Sequence, residues 1–402
     1  MSELVETPVA ADLRRGRPSA LVLGLAVTQT VGYGVLFYAF SVLLRPIAHE
    51  LHQPIATITG ALTLSIVVAA AAGIPCGRWL DRHGGRALMT AGSVLGVVAV
   101  LAWSQVHQVW QLYGVFVLIG LASAATLYEA AFPVVIAMAA PGRRDRDLLA
   151  VTIIAGFASS VFFPLTGLLL ESIGWRATLV VLAALLLVVA VPVHAWLVPG
   201  RGGAGRGTHS HGATVREALR QRAFWVLSAA FLAQAAAVST VGVLLVSALQ
   251  ELGHPVSVAA TVSGVLGVLS VTGRLVTTGM ARRFGMTAVT AVVFVVQALG
   301  VLALPHLGRT AGGAVACVVA FGLGFGVAAI AKPAIVADRY GTARYATIAA
   351  TMATPITLVR AFAPLAAAAV SIGVSFTVAG VVCLASAALL WTLVPRRHPA
   401  RS

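Results

Sequence analysis

The chain has 402 residues, of which 59% are hydrophobic and only 10% are charged, and its formal net charge at pH 7 is +15. An average soluble protein has about 25% charged residues, so this composition argues against a soluble domain and predicts an integral membrane protein.

The apolar residues fall into segments long enough to cross a bilayer. A membrane-spanning helix needs about 20 predominantly apolar residues, and glycine and proline inside such helices are tolerated. Twelve segments qualify: residues 19–44, 55–76, 87–105, 110–139, 149–170, 175–197, 223–248, 257–280, 286–304, 311–336, 346–370 and 375–395. The alternation of a membrane β-barrel is not found. We therefore predict an all-α membrane protein with twelve transmembrane helices.

The basic residues are distributed unevenly between the two sides of these segments. With the N-terminus in the cytoplasm, 21 of them lie in the tails and inner loops, whereas 3 lie in the outer loops: Arg45, Arg176 and Arg309. This positive-inside pattern predicts a multi-pass protein of the plasma or inner membrane with both termini cytoplasmic and an uncleaved first span. Because the membrane topology accounts for the excess of basic residues, we expect no nucleic-acid partner.

The two halves of the sequence resemble each other at an offset of 200 or 201 residues. The matching strings are HELHQP at 49–54 with QELGHP at 250–255, DRHG at 81–84 with RRFG at 282–285, and VFFPL at 161–165 with AFAPL at 361–365. Such spacing predicts duplication of a six-helix unit. We expect an N-terminal bundle at 1–198, a glycine-rich cytoplasmic linker at 199–219 and a C-terminal bundle at 220–402.

The loop after the second segment reads GRWLDRHGGR, in which Gly77, Asp81, Arg82, Gly84 and Arg86 fit the pattern G-x-x-x-D-R-x-G-x-R. With six helices in each half, the chain resembles the major facilitator superfamily. The resemblance implies two pseudo-symmetric bundles around a central cavity, with alternating access. It also implies that these five residues form a charged latch at the cytoplasmic face, Gly77 allowing close packing. A simple positive-inside turn is the alternative, although it does not explain Asp81.

Four charged residues lie inside the predicted spans: Glu129, Arg274, Lys332 and Arg360. A charge at mid-bilayer costs at least ~2.5–3.5 kcal/mol, so such residues usually face a cavity. Snorkelling to an interface is the alternative, and for Lys332 it is equally favoured. Three positive charges and one negative charge leave a net charge of two positive units, which an anionic substrate would balance. The planar guanidinium of arginine can bind a carboxylate through two parallel hydrogen bonds. Glu129, the one acid of the four, is the obvious proton carrier.

A narrower resemblance agrees with this interpretation. Arg274 in helix eight, Arg360 in helix eleven and the string VGYGVLFYAF in helix one are similar to the monocarboxylate carriers and oxalate–formate antiporters. Two positions depart from that subgroup, because Ser270 and Phe37 replace an aspartate and a lysine that many of its members have.

Polar and aromatic residues complete the predicted substrate site. Gln29, Tyr33 and Phe37 share one face of an ideal helix, and Tyr128 adjoins Glu129. The predicted substrate-binding residues are Arg274, Arg360, Tyr33, Tyr128, Gln29 and Lys332, with Glu129 in proton coupling. Packing of the aromatic rings between helices is the alternative, chiefly for Phe37.

No cofactor or metal is expected. The cysteines, Cys76, Cys317 and Cys383, lie in apolar segments without metal-binding spacing, and two histidines in the linker, His209 and His211, are weak evidence for metal. The string GLGFG at 322–326 lies within a span, which favours close helix packing over a dinucleotide loop.

The sequence thus predicts a secondary transporter, not an enzyme, that moves a small organic anion, a mono- or dicarboxylate, by proton symport or anion exchange. We expect it to act as a monomer in the lipid bilayer. Proton-driven efflux of drugs or other amphipathic compounds is one alternative. A membrane sensor or chaperone of the same fold that does not transport is another.

Overall fold

The protein, as a computed structural model, is described over residues 20–138, 144–200, 219–340 and 345–394, and in this part every regular element is a helix. The twelve predicted helices are confirmed. They are α1 (Ala20–Tyr33, a π-helical turn Gly34–Tyr38, and Ala39–Glu50), α2 (Ile55–His83), α3 (Gly85–Ser104), α4 (Val109–Thr126 and Tyr128–Met138), α5 and α6 (Arg144–Gly156 and Ala158–Trp196, turning at Gly174), α7 (Arg222–Glu251), α8 (Val256–Phe284), α9 (Met286–Leu307), α10 (Ala311–Phe325 and Val327–Tyr340), α11 (Tyr345–Ala368) and α12 (Ile372–Trp391).

By length and hydropathy, 10 helical stretches among the described residues qualify as membrane spans. One of them, Asp147–Trp196, contains two helices because the chain turns at Gly174, where φ is +76°. α11 contributes the shorter apolar stretch Pro355–Ala368. The described helices therefore account for all twelve predicted spans.

Several helices extend beyond the spans expected from hydropathy. α1 continues to Glu50 rather than residue 44, and α2 continues to His83 rather than residue 76. Hydropathy detects only the apolar part of a helix, whereas backbone hydrogen bonding continues through the polar turns at the membrane surface. α2 ends where Gly84 adopts a φ of +78°, a conformation that favours glycine.

The backbone repeats its unusual features at the offset seen in the sequence. Gly84 and Gly285 follow α2 and α8 with φ of +78° and +83°, and Pro54 and Pro255 precede the same two helices. These pairs support the pseudo-symmetric arrangement of two six-helix bundles. Most of the predicted linker, residues 201–218, lies outside the described residues.

The two bundles meet near one end of the molecule, which we call the Glu50 end. Thr63 Oγ1 of α2 donates to the Ala361 carbonyl of α11 (2.9 Å), and Ser160 Oγ of α5 donates to the Gly264 carbonyl of α8 (2.6 Å). Farther toward that end, an ion pair joins Arg45 to Glu251 across 3.0 Å. We call these contacts the outer seal.

The opposite end, which we call the Gly84 end, is more open. An added Cβ at Gly73 or Gly77, in the Gly84-end part of α2, would meet no atom within 4 Å. Among the described residues, the hydrogen bonds between bundles lie on the Glu50 side. We infer from these contacts that the space between the bundles, which we call the cavity, opens toward the Gly84 end, the cytoplasmic side in the predicted topology.

Candidate substrate site

The π-helical turn in α1 decides which of its side chains face the cavity. Ala39 N donates to the Gly34 carbonyl, so one extra residue enters the turn. An added Cβ at Gly34 would lie 2.2 Å from ring atoms of Phe162, which is why glycine allows α1 to pack against α5 here. The turn brings Tyr38, five residues after Tyr33, toward the same region. π-turns inside helices frequently occur at functional sites.

Aromatic rings form two groups along the site. The Tyr33 and Tyr128 ring centroids lie 4.8 Å apart, and Tyr128 stacks on Phe132 at 4.6 Å. Tyr38 makes an edge contact with Phe163 at 5.2 Å. No hydrogen bond to a described residue engages the hydroxyls of Tyr33, Tyr38 or Tyr128, so these groups are available to a ligand.

A break in α4 positions the acidic residue of the site. Leu127 leaves the helical conformation with a ψ of −161°, and Glu129 lies in the first turn of the segment that follows. An acidic group is favoured there by the helix dipole. The Glu129 side chain is exposed and forms no ion pair with a described residue, while it interacts electrostatically with Tyr33 and Tyr128.

Gln29 contributes to packing rather than to the cavity surface. Its side chain is 0% exposed, and Nε2 donates to the Thr126 carbonyl across 2.8 Å, immediately before the α4 break. The expectation that Gln29, Tyr33 and Phe37 form one ligand-facing stripe does not describe this helix, because Gln29 is buried and the π-turn changes the register. Gln29 instead stabilises the break that presents Glu129.

Arg274 lies where α8 contacts a break in α10. Its Nε donates to the Gly326 carbonyl across 3.2 Å, and its Nη2 donates to Ser270 Oγ across 3.1 Å. Electrostatic interactions link the guanidinium to Tyr38 and Tyr128. The half-buried Arg274 thus has neutral protein partners but, among the described residues, no ion-paired acid.

Arg360 and Lys332 are the cations that α11 and α10 contribute. Arg360 is exposed, although it is well inside α11 and directly precedes Ala361 of the outer seal. It interacts electrostatically with Tyr33, and Lys332 is close enough to Arg360 for the two positive charges to repel each other. Neither cation forms an ion pair with a described acid.

The tyrosine pair connects the surroundings of the two arginines. Arg274 interacts with Tyr128, Tyr128 packs against Tyr33, and Tyr33 interacts with Arg360. Both arginines therefore lie near the tyrosine pair.

The predicted latch residues lie at the Gly84 end. Arg82 is exposed, and the surroundings of the Asp81 side chain lie outside the description. Arg86 Nε donates to the Val198 carbonyl across 2.8 Å, a contact within the N-terminal bundle. Gly77 has open space around it in this conformation. A latch between bundles stays a prediction for the conformation that closes the Gly84 end.

Three features were not found by sequence reasoning. Tyr38 was missed because ideal helical spacing excludes it, and Gly326 because its carbonyl contact depends on tertiary structure. Asp147 was assigned to a loop, but it is only 5% exposed at the start of α5. The packing role of the GLGFG string is borne out, since added Cβ atoms at Gly322, Gly324 and Gly326 would each lie within 2.5 Å of a neighbouring side chain.

Within the described residues, no group of three or more His, Cys, Asp or Glu could hold a metal ion. The site therefore consists of aromatic rings, hydroxyls and three cations with one acid. Such a combination is suited to reversible binding of a polar or anionic solute.

Comparison with known proteins agrees with the fold. The sequence profile of the Major Facilitator Superfamily matches residues 25–364. No curated protein matches the sequence significantly.

Several solved structures are similar to this chain in fold. A bacterial homolog of the human lysosomal transporter Spinster, inward-facing and occupied, superposes with a TM-score of 0.73 at 15% identity, covering 98% of this chain and 100% of that one. Its inward-facing, unoccupied form gives 0.68 at 16% identity, with 93% and 95% covered. A mutant of the nucleoside transporter NupG gives 0.73 at 14% identity, with 93% and 98% covered. At this identity the likeness concerns the fold alone.

Proposed function

The chain belongs to the Major Facilitator Superfamily, and from that premise we propose that it is a secondary transporter of a small organic anion, a mono- or dicarboxylate. One observation carries the proposal: three cations lie inside the spans, and none of them forms an ion pair with a described acid. They are Arg274, Arg360 and Lys332. A substrate carboxylate would supply the missing negative charge, and each guanidinium offers it a bidentate fork.

Two cations near the tyrosine pair suit either class of carboxylate. A dicarboxylate could engage both Arg274 and Arg360, whereas a monocarboxylate needs only one of them. The hydroxyls of Tyr33, Tyr38 and Tyr128, which no described residue engages, would donate hydrogen bonds to either anion.

Two energy sources are compatible with this proposal: proton symport and anion exchange. Glu129 is exposed to the cavity and lies near Tyr33, so it would carry the proton in a symport cycle. Anion exchange would need no proton carrier, and Glu129 would then only limit the positive charge of the site. In both versions the protein acts as a monomer in the plasma or inner membrane, with its termini cytoplasmic.

Efflux of an amphipathic compound is the second candidate, and the aromatic rings of the site favour it. Tyr33, Tyr128 and Phe132 present flat surfaces on which a ring could stack. The excess of cations opposes cationic drugs but not neutral or anionic amphipaths. A sensor of the same fold, the third possibility raised by the sequence, would bind a solute without moving it.

Transport by purified protein in liposomes tests these functions together. We expect uptake of radiolabelled oxalate or lactate that Arg360→Gln lowers strongly. Arg309→Gln is the matched control, because it removes the same charge from an exposed outer loop. Carboxylate binding without uptake would support a sensor, and uptake of an amphipath with no carboxylate uptake would support efflux.

A further inference from the structure

Helix α10 is interrupted at the point where it meets Arg274. Its first segment ends at Phe325 and its second begins at Val327, so Gly326 lies between them. The Gly326 carbonyl accepts from Ala329 N across 3.3 Å, and the Arg274 side chain donates to the same oxygen. A side chain that enters the helical hydrogen-bond ladder is a recognised cause of such a break.

The contact leaves no room for another residue at position 326. An added Cβ there would lie 2.3 Å from Ser270 Oγ and 2.5 Å from Arg274 Nε. An added Cβ at Gly273, the residue before Arg274 in α8, would clash with the carbonyl oxygen of Leu323, one turn before Gly326 in α10. Glycines on both helices therefore bring the two backbones close enough for Arg274 to reach the carbonyl.

Ser270 and Gly326 occupy one edge of the guanidinium. Arginine has five N–H donors in a fixed planar fork. The edge formed by Nε and Nη2 is used by Gly326 and Ser270, while no described residue bonds Nη1. The edge formed by Nη1 and Nη2 thus remains open, and it is geometrically suited to a carboxylate.

We propose that Ser270 and Gly326 are positioning residues, which hold one edge of Arg274 so that the other edge faces the substrate anion. This inference rests on the proposed function. Both partners are neutral, so they fix the direction of the guanidinium without compensating its charge. The full positive charge of Arg274 then remains for the substrate, and the side chain needs little reordering when the anion binds.

Ser270→Ala tests the role of the hydroxyl with little change in volume. Without the hydroxyl, the guanidinium loses a charge-assisted hydrogen bond and is free to reorient. We therefore expect oxalate and lactate to bind about tenfold more weakly, measured by thermal shift across anion concentrations. Ser263→Ala is the matched control: Ser263 is a buried serine of the same helix with no hydrogen-bond partner among the described residues. It should change affinity less than about twofold.

A double-mutant cycle shows whether Ser270 acts through Arg274. In an Arg274→Gln background, Ser270→Ala should have no further effect on anion affinity. In the wild-type background, Ser270→Thr, which keeps the hydroxyl, should retain most of the affinity. An equal loss in both backgrounds, or wild-type affinity in Ser270→Ala, would overturn the positioning role alone. Absence of any anion-dependent shift in the wild-type protein would overturn the proposed function and this inference together.

Discussion

Glu129 is the one acid among the four charges inside the predicted spans, and its surroundings give it a measurable effect on substrate affinity. The carboxylate is exposed to the cavity and opposes the field of Arg274, Arg360 and Lys332. No described basic residue pairs with it. Its charge should therefore weaken the binding of an anion.

Replacing Glu129 by Gln should make carboxylate binding severalfold tighter at neutral pH. The measurement is oxalate affinity at neutral pH in both proteins. Glu50→Gln, the same change at an exposed residue that pairs with Arg176 at the Glu50 end, should keep the wild-type affinity. Unchanged affinity in Glu129→Gln would exclude the carboxylate from the site.

At the same scale, the sequence identified the charged residues of the site better than their neighbours. Isolation in apolar segments was enough to select Glu129, Arg274 and Arg360, because a charge in the bilayer is costly wherever the chain folds. Gln29 was expected on the cavity face but is buried, and Tyr38 was missed, since the expectation assumed a regular helix. A one-residue π-turn depends on the packing of Gly34 against Phe162, which the sequence does not reveal.

At the level of the helices, the residues of the candidate site lie beside helix interruptions. α1 contains the π-turn, α4 is broken at Leu127 and α10 at Gly326, and each interruption adjoins a cavity residue. Two further contacts stabilise these irregular points, Gln29 with Thr126 and Arg274 with Gly326. The helices themselves could be predicted from hydropathy, but their interruptions could not.

The π-turn can be tested through the glycine that allows it. Gly34→Ala would place a methyl group against Phe162, so we expect overpacking to lower stability by about 1–3 kcal/mol. Gly114→Ala in α4 is the control, because its added Cβ would meet no atom within 4 Å. Melting temperatures in detergent compare the two. Equal stability of both variants would show that Gly34 is not under steric constraint.

The contribution of the Arg45–Glu251 ion pair to the outer seal can be tested by charge reversal. Glu251→Arg should repel Arg45 and favour the conformation open at the Glu50 end, and the double variant Arg45→Glu/Glu251→Arg should restore closure. A single exposed ion pair contributes at most about 1 kcal/mol, so a severalfold shift in population is expected. The readout is maleimide labelling of Thr63→Cys, in a background without Cys76, Cys317 and Cys383.

Thr63 is suitable as a reporter because it is 5% exposed within the seal. Labelling should increase in the single reversal and decrease again in the double reversal. If both variants label alike, the Arg45–Glu251 pair has no part in closing this end of the protein.

For the whole molecule, the duplication was predictable because matching strings recur at one offset, and the structure repeats its backbone conformations at that offset. The conformational state was not predictable. Sequence composition describes what the two bundles contain, whereas the closed Glu50 end depends on contacts between them. The predicted topology would make this conformation inward-open.

The positive-inside count gives a test of that orientation. Gly205→Cys, in the predicted linker, should react with an impermeant maleimide only after the cells are permeabilised. Arg309→Cys, at the Glu50 end, should react in intact cells. Reaction of Gly205→Cys in intact cells would invert the topology and make the open end face outward.

The anion hypothesis as a whole depends most directly on Arg274, and the decisive measurement is the melting temperature with and without carboxylate. Bound oxalate or lactate should raise the melting temperature of the wild-type protein and of Arg309→Gln. Arg274→Gln should respond much less, because removing one partner of a desolvated charge pair costs about 2–5 kcal/mol of binding. Arg274→Lys should recover part of the response, since a point charge lacks the fork. If carboxylates protect Arg274→Gln as strongly as the wild-type protein, Arg274 serves only the α10 break and the substrate-binding role assigned to it is wrong.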